Sequence, residues 1–304
     1  LINILNVDVR VLTPHHFCHY EHSLTDLDFV FVISQSGCST NSIEALRFLR
    51  SKNHFAIGVT GCPESDFKAE ADLLVDYGLG IETIGYVTKG VVTLIGFLAL
   101  FAFESATILG RLNQEEKEVW FNRLDNACQV NRSVMKNSIT FWDKHVKTFT
   151  AMPHAFIMGA GSNYGTALEA ALKMSETIQI PCLAIECEEF LHGYTLQLTP
   201  NYPLFFIDPV DSTSKRILDT FTSVLKITDR AFLISNNPDI AGPNVLSYEG
   251  HVHPLLSPIA FLPFFQYLSY KTTDSMNRWM KHPLYKTFSE DVPSKTESYV
   301  HTVQ

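Results

Sequence analysis

Short runs of consecutive apolar residues alternate with segments of helical periodicity along most of this sequence. In the first half the runs lie in LDFVFVIS (27–34), HFAIGVTG (54–61) and ADLLVDY (71–77), and a weaker strand pattern lies in VDVRVL (7–12). Continuous β-branched and aromatic runs suit parallel strands that are covered on both faces, so we expect residues 27–34 to form a central strand. Strand, helix and strand at this rhythm indicate right-handed βαβ units and a parallel sheet.

The same alternation returns in the second half. Strand-like runs lie in HAFIMG (154–159), PCLAIE (181–186), YPLFFID (202–208) and RAFLIS (230–235), with helical stretches between them. The apolar stretch 253–270 is expected to be a helix that Pro258 and Pro263 begin or break. The sequence therefore predicts an α/β protein made of two successive domains, each a parallel sheet flanked by helices.

The boundaries of these domains follow from a change in composition. A charged, helix-forming stretch separates the two halves, and a polar stretch follows the last apolar helix. We predict a first domain at 1–111, a linking helical segment at 112–148, a second domain at 149–285 and a C-terminal tail at 286–304.

Composition and charge narrow the class of protein. The chain has 304 residues, 46% of them hydrophobic, and a formal net charge of -9. A fold of this charge does not offer the dense basic surface that nucleic acids and anionic membranes require. The apolar run 90–103 is shorter than the roughly 18 residues of a membrane span, so we expect a buried helix there and a cytoplasmic protein without a membrane partner.

Cysteines and histidines are the residues that can form cross-links or bind a metal ion. The six cysteines have no CxxC spacing, which is typical of reduced thiols in the cytoplasm. His15, His16, Cys18 and His19 form a local cluster, but no second group of ligands is spaced to complete a tetrahedral site, so we expect no metal there.

The heptapeptide SQSGCST (34–40) follows the predicted strand 27–34 and precedes a helix. Its four hydroxyl groups and one glycine lie where parallel sheets bind ligands, and the free amides at a helix start attract anions. The alternative is an ordinary helix cap, but a cap needs only one hydroxyl. The pattern therefore favours a phosphate site.

The segment from 156 to 193 carries the other candidate residues. GAGSNYG (159–165) repeats the strand, turn and helix arrangement, and Glu169, Lys173 and Glu176 recur on one face of the helix that follows. The alternatives are a solvated helix face with a Glu–Lys pair, or a general base at the carboxyl edge of the sheet. His192 lies in a loop, where an imidazole that titrates near neutral pH can transfer a proton.

Together these motifs resemble the sugar isomerase family of phosphosugar-binding domains, in the tandem form of the isomerase half of glucosamine-6-phosphate synthase and of fructosamine-6-phosphate deglycases. ISQSGCSTNSIEALR is similar to the phosphate loop and helix of that family, and IETIGYVTKG to the segment that closes its first domain. GAGSNYGTALEAALKMSE and EEFLHG are similar to its second-domain signatures.

The resemblance implies specific roles for these residues. Glu176 would be the base that moves a proton between C1 and C2, His192 would assist ring opening, and Lys173 would steer the open-chain oxygens. The C-terminal lysine of the family would be Lys295, with Lys286 as the alternative. The residues implied to hold the phosphosugar are Ser34, Gln35, Ser36, Ser39, Gly161 and Ser162.

The resemblance also implies an assembly and a reaction. The histidine of the family reaches the site of a neighbouring subunit, which implies a homodimer with a shared active site. The sequence before Leu1 lacks the strand and Gly-Thr-Ser loop that open the family's first domain, so we expect either a fragment of a longer protein or an incomplete first domain. The given sequence also contains no glutaminase domain, which argues against glutamine-dependent synthesis. We therefore expect a cofactor-free deglycase that acts on a fructosamine 6-phosphate; the alternatives are an aldose–ketose isomerase, an amino-sugar-phosphate deaminase or a non-catalytic phosphosugar-binding regulator.

Overall fold

The computed structural model describes residues 1–299. The chain forms two compact units, the first made of Leu1–Asn113 and the C-terminal segment from His282, the second of Gln114–Lys281. The helices are α1 Ile2–Leu5, α2 Pro14–His19, α3 Thr40–Ser51, α4 Phe67–Glu70, α5 Lys89–Ile108, α6 Gln114–Thr150, α7 Ser162–Thr177, α8 Ser214–Val224, α9 Ser257–Ser275 and α10 Tyr285–Asp291. The strands are β1 Phe31–Ser34, β2 Ile57–Thr60, β3 Leu73–Asp76, β4 Ala155–Gly159, β5 Cys182–Glu186, β6 Leu204–Ile207, β7 Ala231–Ile234 and β8 Val245–Leu246.

The first unit is built on a parallel sheet of three strands in the order β1-β2-β3. One face of this sheet packs against α3, whose Leu46 and Leu49 are fully buried, with Phe17 of α2 in the same core. The three strong strand predictions in this half are therefore confirmed, and so is the helix that follows the first of them.

Two details of this sheet differ from the prediction. Within residues 1–299, β1 lies at an edge of the sheet and Ile33 is 36% exposed, so β2 and not β1 is the central strand. The predicted strand at residues 7–12 does not form, and Val11 is 91% exposed. A strand needs a neighbour to satisfy its backbone hydrogen bonds, and residues 7–12 pair with no strand in the described part of the chain.

Helix α5 is less buried than expected. Leu94 and Phe97 pack against the core of β2 and β3, but of its residues only Gly90, Ala102, Phe103 and Ala106 are buried. In the described part of the chain, α5 is the one helix long and apolar enough to cross a membrane. Its most apolar stretch of 18 residues has a mean hydropathy of 2.0, and 17% of that stretch is buried. Since core helices of soluble proteins also meet this criterion, length and composition alone do not establish a membrane span.

The second unit contains a parallel sheet of five strands in the order β5-β4-β6-β7-β8. Its four longer strands correspond to the predicted ones, and the short β8 was not predicted. The chain moves outward from β4 to β5 and then returns to the other side of β4 with β6. In open parallel sheets, ligands bind at such a reversal, outside the carboxyl ends of the strands.

Two long helices cover this second sheet. Helix α6 packs against α9, where the Trp142 indole donates to the Thr272 hydroxyl over 3.0 Å and the Asn131 amide to the Ile259 carbonyl over 2.7 Å. Pro258 lies in the first turn of α9, and the helix continues through Pro263. Residues 114–148 of the segment predicted to link the domains thus lie within the second unit, and residues 286–299 of the predicted tail lie within the first. Residues 300–304 of that tail lie outside the described residues. The domain boundaries themselves stay a prediction.

Candidate functional site

The loop between β1 and α3 contains the predicted phosphate-binding residues. Ser39 is the N-cap residue of α3, but its side chain makes no capping hydrogen bond. Its hydroxyl instead accepts a hydrogen bond from the Ser34 hydroxyl over 3.2 Å. Gln35 is held by its own carbonyl, which accepts from the Thr60 hydroxyl over 3.2 Å and from the Gly61 amide over 3.1 Å. The cluster of hydroxyls is therefore more than a helix cap.

The turn of this loop depends on Gly37. Its φ of 61° lies in the left-handed region, and a Cβ at this position would lie 1.8 Å from the Ser65 hydroxyl. Any other residue type at this position is strained both by the left-handed backbone and by the contact of its Cβ with Ser65. The glycine thus lets the chain turn tightly enough to place Ser36 and Ser39 together at the start of α3.

Lys295 reaches the same loop from the C-terminal segment. The backbone around it pairs with the loop: the Thr296 amide donates to the Cys38 carbonyl over 2.9 Å. The Lys295 ammonium donates to the hydroxyls of Ser36 and Ser39 over 2.9 and 2.8 Å, and its burial lowers its pKa. Because its acceptors are neutral hydroxyls, its charge is available to an anion. Lys286 lies elsewhere, exposed on α10 and 3.8 Å from Glu290.

The polar face of α7 forms a second cluster. The Lys173 ammonium lies 2.5 Å from a Glu176 carboxylate oxygen and 3.5 Å from one of Glu169, and the Lys173 side chain is only 6% exposed. Burial raises the pKa of Glu169, the Lys173 charge opposes that rise and the Glu176 charge adds to it. The Glu176 side chain is 31% exposed, so it is the member that solvent or a ligand reaches. This face is a buried ion cluster and not a solvated helix surface.

Glu176 does not lie at the edge of the sheet where we expected it. Helix α7 begins at the carboxyl end of β4 and runs back along the sheet, and Glu176 is its penultimate residue. A helix of 16 residues is about 24 Å long at about 1.5 Å per residue. The prediction of a carboxylate at the carboxyl edge is therefore wrong, because a helix after a parallel strand returns to the amino edge.

Gly161 and Ser162 lie at the opposite end of α7 from Glu176. Gly161, with a φ of 55°, precedes the helix, and the Ser162 hydroxyl donates to the Pro254 carbonyl over 2.7 Å. The two residues and Glu176 are thus separated by the length of the helix, and their assignment to the phosphosugar stays a prediction. Within this chain their visible role is to join the start of α7 to the segment before α9.

His192 ends a 3-10 turn, Glu189–His192, that follows β5. The turn is fixed by the fully buried Phe190 and by the Glu186 carboxylate, which accepts from the amides of Glu188 and Glu189. His192 itself is exposed. Because β5 begins beside the end of α7 and spans about 13 Å at about 3.3 Å per residue, His192 and Glu176 lie at opposite edges of the sheet.

A buried carboxylate that we had not singled out lies in the second unit, after β6. Asp208 is fully buried and accepts hydrogen bonds from the hydroxyls of Ser214 and Ser235 over 2.5 and 2.6 Å. Two residues later, Val210 has a φ of 56°, like Gly37 at the corresponding place after β1. The second unit thus repeats the turn of the phosphate loop but fills it with its own negative charge. The signal in the sequence was the pair of aspartates in DPVDSTS.

None of these candidate residues belongs to a cluster that could hold a metal ion among residues 1–299. The six cysteines are free, and burial raises the pKa of Cys187 to about 12, which disfavours its thiolate. The candidate site residues therefore supply carboxylate, ammonium, imidazole and hydroxyl groups.

Comparison with known proteins finds relatives in sequence and in fold. The chain matches the SIS domain family at residues 15–103 and 149–232. It is 26% identical over 271 residues to glutamine–fructose-6-phosphate aminotransferase [isomerizing] of Zymomonas mobilis, a match that covers 87% of this chain and 44% of that protein. The chain thus spans less than half the length of the curated relatives it matches.

Solved structures show the same fold. The C-terminal domain of glucosamine-fructose-6-phosphate aminotransferase from Francisella tularensis has a TM-score of 0.83 at 22% identity, covering 91% of this chain and 78% of that one. Glucosamine-6-phosphate deaminase from Thermotoga maritima has a TM-score of 0.60 at 20% identity, covering 92% and 76%.

Two parallel sheets flanked by helices define an α/β protein. The two matched regions cover most of both halves, and the chain belongs to the SIS domain family, of which it carries two tandem copies.

Proposed function

We propose that this chain is an enzyme that moves a proton between C1 and C2 of a 6-phosphorylated sugar, and that its substrate is a fructosamine 6-phosphate. The observation that carries the proposal is the ion cluster on α7, in which Lys173 is buried and Glu176 remains accessible. An accessible carboxylate held by a fixed ammonium is a suitable general base.

Substrate binding is assigned to the loop after β1. Ser34, Gln35, Ser36 and Ser39 supply hydroxyl, amide and backbone donors, the start of α3 favours negative charge, and Lys295 adds an ammonium. These are the groups that a phosphate monoester requires. Lys295 is thereby given a binding role in addition to the catalytic role that the resemblance implies.

The reaction follows from the chemistry of a ketosamine. After ring opening, Glu176 removes a proton from C1, the carbon that bears the nitrogen, the electrons form a C1–C2 double bond, and the C2 oxygen takes a proton from solvent and becomes a hydroxyl. Glu176, which is 31% exposed and exchanges its proton with solvent, then protonates C2, and the nitrogen releases its proton to solvent, which leaves an imine at C1. Water adds to that imine and the amine departs, giving glucose 6-phosphate. Lys173 orients the carboxylate and steers the oxygens, and these steps use no metal or redox cofactor.

The relatives support the choice of substrate. The Zymomonas mobilis relative is named for a reaction that joins amino transfer to isomerisation of fructose 6-phosphate. A ketose 6-phosphate with nitrogen near C1 or C2 is therefore the substrate class we propose. An aldose–ketose isomerase, an amino-sugar-phosphate deaminase and a phosphosugar-binding regulator are the other outcomes that the assay distinguishes.

We also propose a homodimer with a shared active site. Glu176 and His192 lie at opposite edges of the same sheet, so one copy does not bring its own pair together. The exposed His192 is free to reach the site of a second copy. An apolar stripe on α7, formed by Tyr164, Leu168 and Leu172, is at least 37% exposed at each residue and supports burial against another chain.

Complementation tests this shared site. Glu176→Gln and His192→Asn are each expected to be inactive as homodimers. Random mixing of the two by co-expression makes about half of a two-fold dimer population mixed, with one intact site per mixed dimer, so about a quarter of the sites recover. No recovery in isolated mixed dimers would contradict the sharing of one site between copies.

Product analysis tests the reaction. The protein is incubated separately with fructoselysine 6-phosphate, glucosamine 6-phosphate and fructose 6-phosphate. The product glucose 6-phosphate is measured with glucose-6-phosphate dehydrogenase. The product fructose 6-phosphate is measured with a coupling enzyme that is free of isomerase. We expect glucose 6-phosphate and free lysine from the first substrate alone. Turnover of only the second indicates a deaminase, turnover of only the third an isomerase, and tight binding without turnover a regulator.

A cytoplasmic location is proposed as well, supported by the six free cysteines.

A further inference from the structure

Helix α2 presents two histidines on one face. His15 and His19 are four positions apart, so they lie on the same side of the helix, and their ring centroids are 4.4 Å apart. His16 points elsewhere: its ring nitrogen lies 3.3 Å from the Glu21 carboxylate. The histidine cluster of the sequence is thus divided between two faces, and only one face carries a pair.

The third group comes from the neighbouring helix. Glu44 lies on α3, and its carboxylate oxygen is 3.3 Å from Nε2 of His19. The two helices are fixed against each other by the buried Phe17, whose ring meets that of Phe48 edge-on at 5.6 Å. The position of Glu44 beside α2 is therefore set by the core of the first unit and not by a chance surface contact.

The geometry of the three groups matches a metal site. One ligand atom from each of His15, His19 and Glu44 lies within 4.8 Å of the others. Ligands of tetrahedral zinc, at bonds of about 2.0–2.1 Å, are about 3.3 Å apart, which equals the present distance between His19 and Glu44. The His15 ring is exposed, so its rotation is not blocked by the core.

We propose that His15, His19 and Glu44 form a binding site for a divalent transition-metal ion, with zinc the best fit. Two imidazoles and one carboxylate are a donor set that zinc accepts from proteins, and water completes the fourth position because all three side chains are exposed. The sequence did not show this site because its third ligand is separated from the histidines along the chain and is supplied only by helix packing.

A bound ion would tie α2 to α3, the helix that begins at the phosphate loop. It would thereby hold the start of the first unit against the element that positions Ser39. A bound ion stabilises the folded form by mass action, so the metal is expected to raise the resistance of this unit to unfolding. The ion has no part in the proposed proton transfer, since none of its ligands belongs to the catalytic cluster.

Titration with zinc chloride tests the proposal. Tag-free, full-length protein is treated with chelator, dialysed and titrated by calorimetry, and cobalt(II) is added in parallel so that absorption bands of tetrahedral cobalt report the geometry. We expect one ion per chain. His19→Asn and Glu44→Gln each weaken binding by more than about tenfold, since even partners outside the first coordination shell are worth about 10- to 100-fold in affinity.

His16→Asn is the matched control, because it removes an imidazole from the same helix but from the other face. Its affinity should equal that of the wild type, and circular dichroism should show all three variants folded. The proposal is overturned if the zinc affinity of the wild type is no higher than that of the His19→Asn variant. It is also overturned if His16→Asn weakens zinc binding as much as His19→Asn does. Glu44→Gln keeps the shape of a surface side chain, so its result stands even if a histidine variant misfolds.

Discussion

Replacement of Lys173 by methionine tests whether the α7 cluster is a buried ion network. Methionine fills a similar volume without a charge, so the two carboxylates lose the ammonium between them. Glu169 is the more affected: its Oε1 is buried and has no hydrogen-bond partner within residues 1–299. Removal of one member of a buried ion pair costs about 3–5 kcal/mol. Since Glu176 is 31% exposed, we expect about 2–4 kcal/mol here.

The cost should depend on pH in a stated direction. Burial already raises the pKa of Glu169 above its usual value, and loss of Lys173 raises it further. A carboxyl group whose pKa is higher in the folded than in the unfolded state favours folding below its unfolded pKa, and this contribution is lost as pH rises through the folded pKa. The destabilisation by Lys173→Met is therefore largest at mildly alkaline pH and shrinks as the solution is acidified toward the unfolded pKa of glutamate.

Urea denaturation followed by tryptophan fluorescence measures this effect selectively. All three tryptophans, at positions 120, 142 and 279, lie in the second unit, so the signal reports the unit that contains α7. Adding Glu169→Gln to Lys173→Met should restore about 1–2 kcal/mol by removing the unpaired charge. The control is Lys215→Met on α8, whose exposed pair with Asp219 is worth less than about 1 kcal/mol. Equal costs for the two lysines, or a cost independent of pH, would refute the reasoning.

Other consequences of the structure concern the phosphate loop. Lys295→Met should weaken glucose 6-phosphate binding roughly 10- to 100-fold in calorimetry, since hydrogen bonds from charged groups contribute about 1.5–3 kcal/mol, while Lys286→Met leaves it unchanged. Because burial lowers the pKa of Lys295, the affinity of the wild type for glucose 6-phosphate should fall as pH rises through that lowered pKa, which is below the usual pKa of lysine. An affinity that does not change until the pH reaches the usual pKa of lysine would argue against the assignment. Gly37→Ala combines a positive φ with a Cβ 1.8 Å from the Ser65 hydroxyl, so it should speed backbone amide hydrogen exchange in the first unit. The control is Gly78→Ala, where φ is also positive but the space around the Cβ is open, and its effect should be far smaller. Similar exchange rates in the two glycine variants would show that the close contact does not matter.

The strands were predictable because their signal is local. Each long run of apolar residues in LDFVFVIS, HFAIGVTG and RAFLIS contains an observed strand. The strand expected at residues 7–12 failed because alternation alone does not supply a neighbour for backbone pairing. The order of the strands, and so the position of β1 at an edge, depends on contacts between distant segments that periodicity does not encode.

The residues of the candidate site were predictable in kind but not in place. The resemblance implied a catalytic role for Lys295 but did not place it at the phosphate loop, because 256 residues separate it from Ser39 along the chain. Helical spacing placed Lys173 beside Glu176, yet it gave no sign that Lys173 would be buried. The edge of the sheet at which Glu176 lies depends on the direction of α7, which runs back from the carboxyl end of β4. Asp208 was overlooked because an aspartate after a strand usually indicates a turn.

The central claim is that Glu176 transfers the proton between C1 and C2. The most direct measurement is the reaction of fructoselysine 6-phosphate in deuterium oxide, with the product glucose 6-phosphate examined for deuterium at C2. Wild type should introduce deuterium there, and Glu176→Gln should slow its appearance about 10²- to 10⁴-fold while still binding glucose 6-phosphate. The exposed Glu249→Gln should match wild type. Undiminished deuterium transfer by the Glu176→Gln variant, or product without deuterium at C2 from the wild type, would contradict the account.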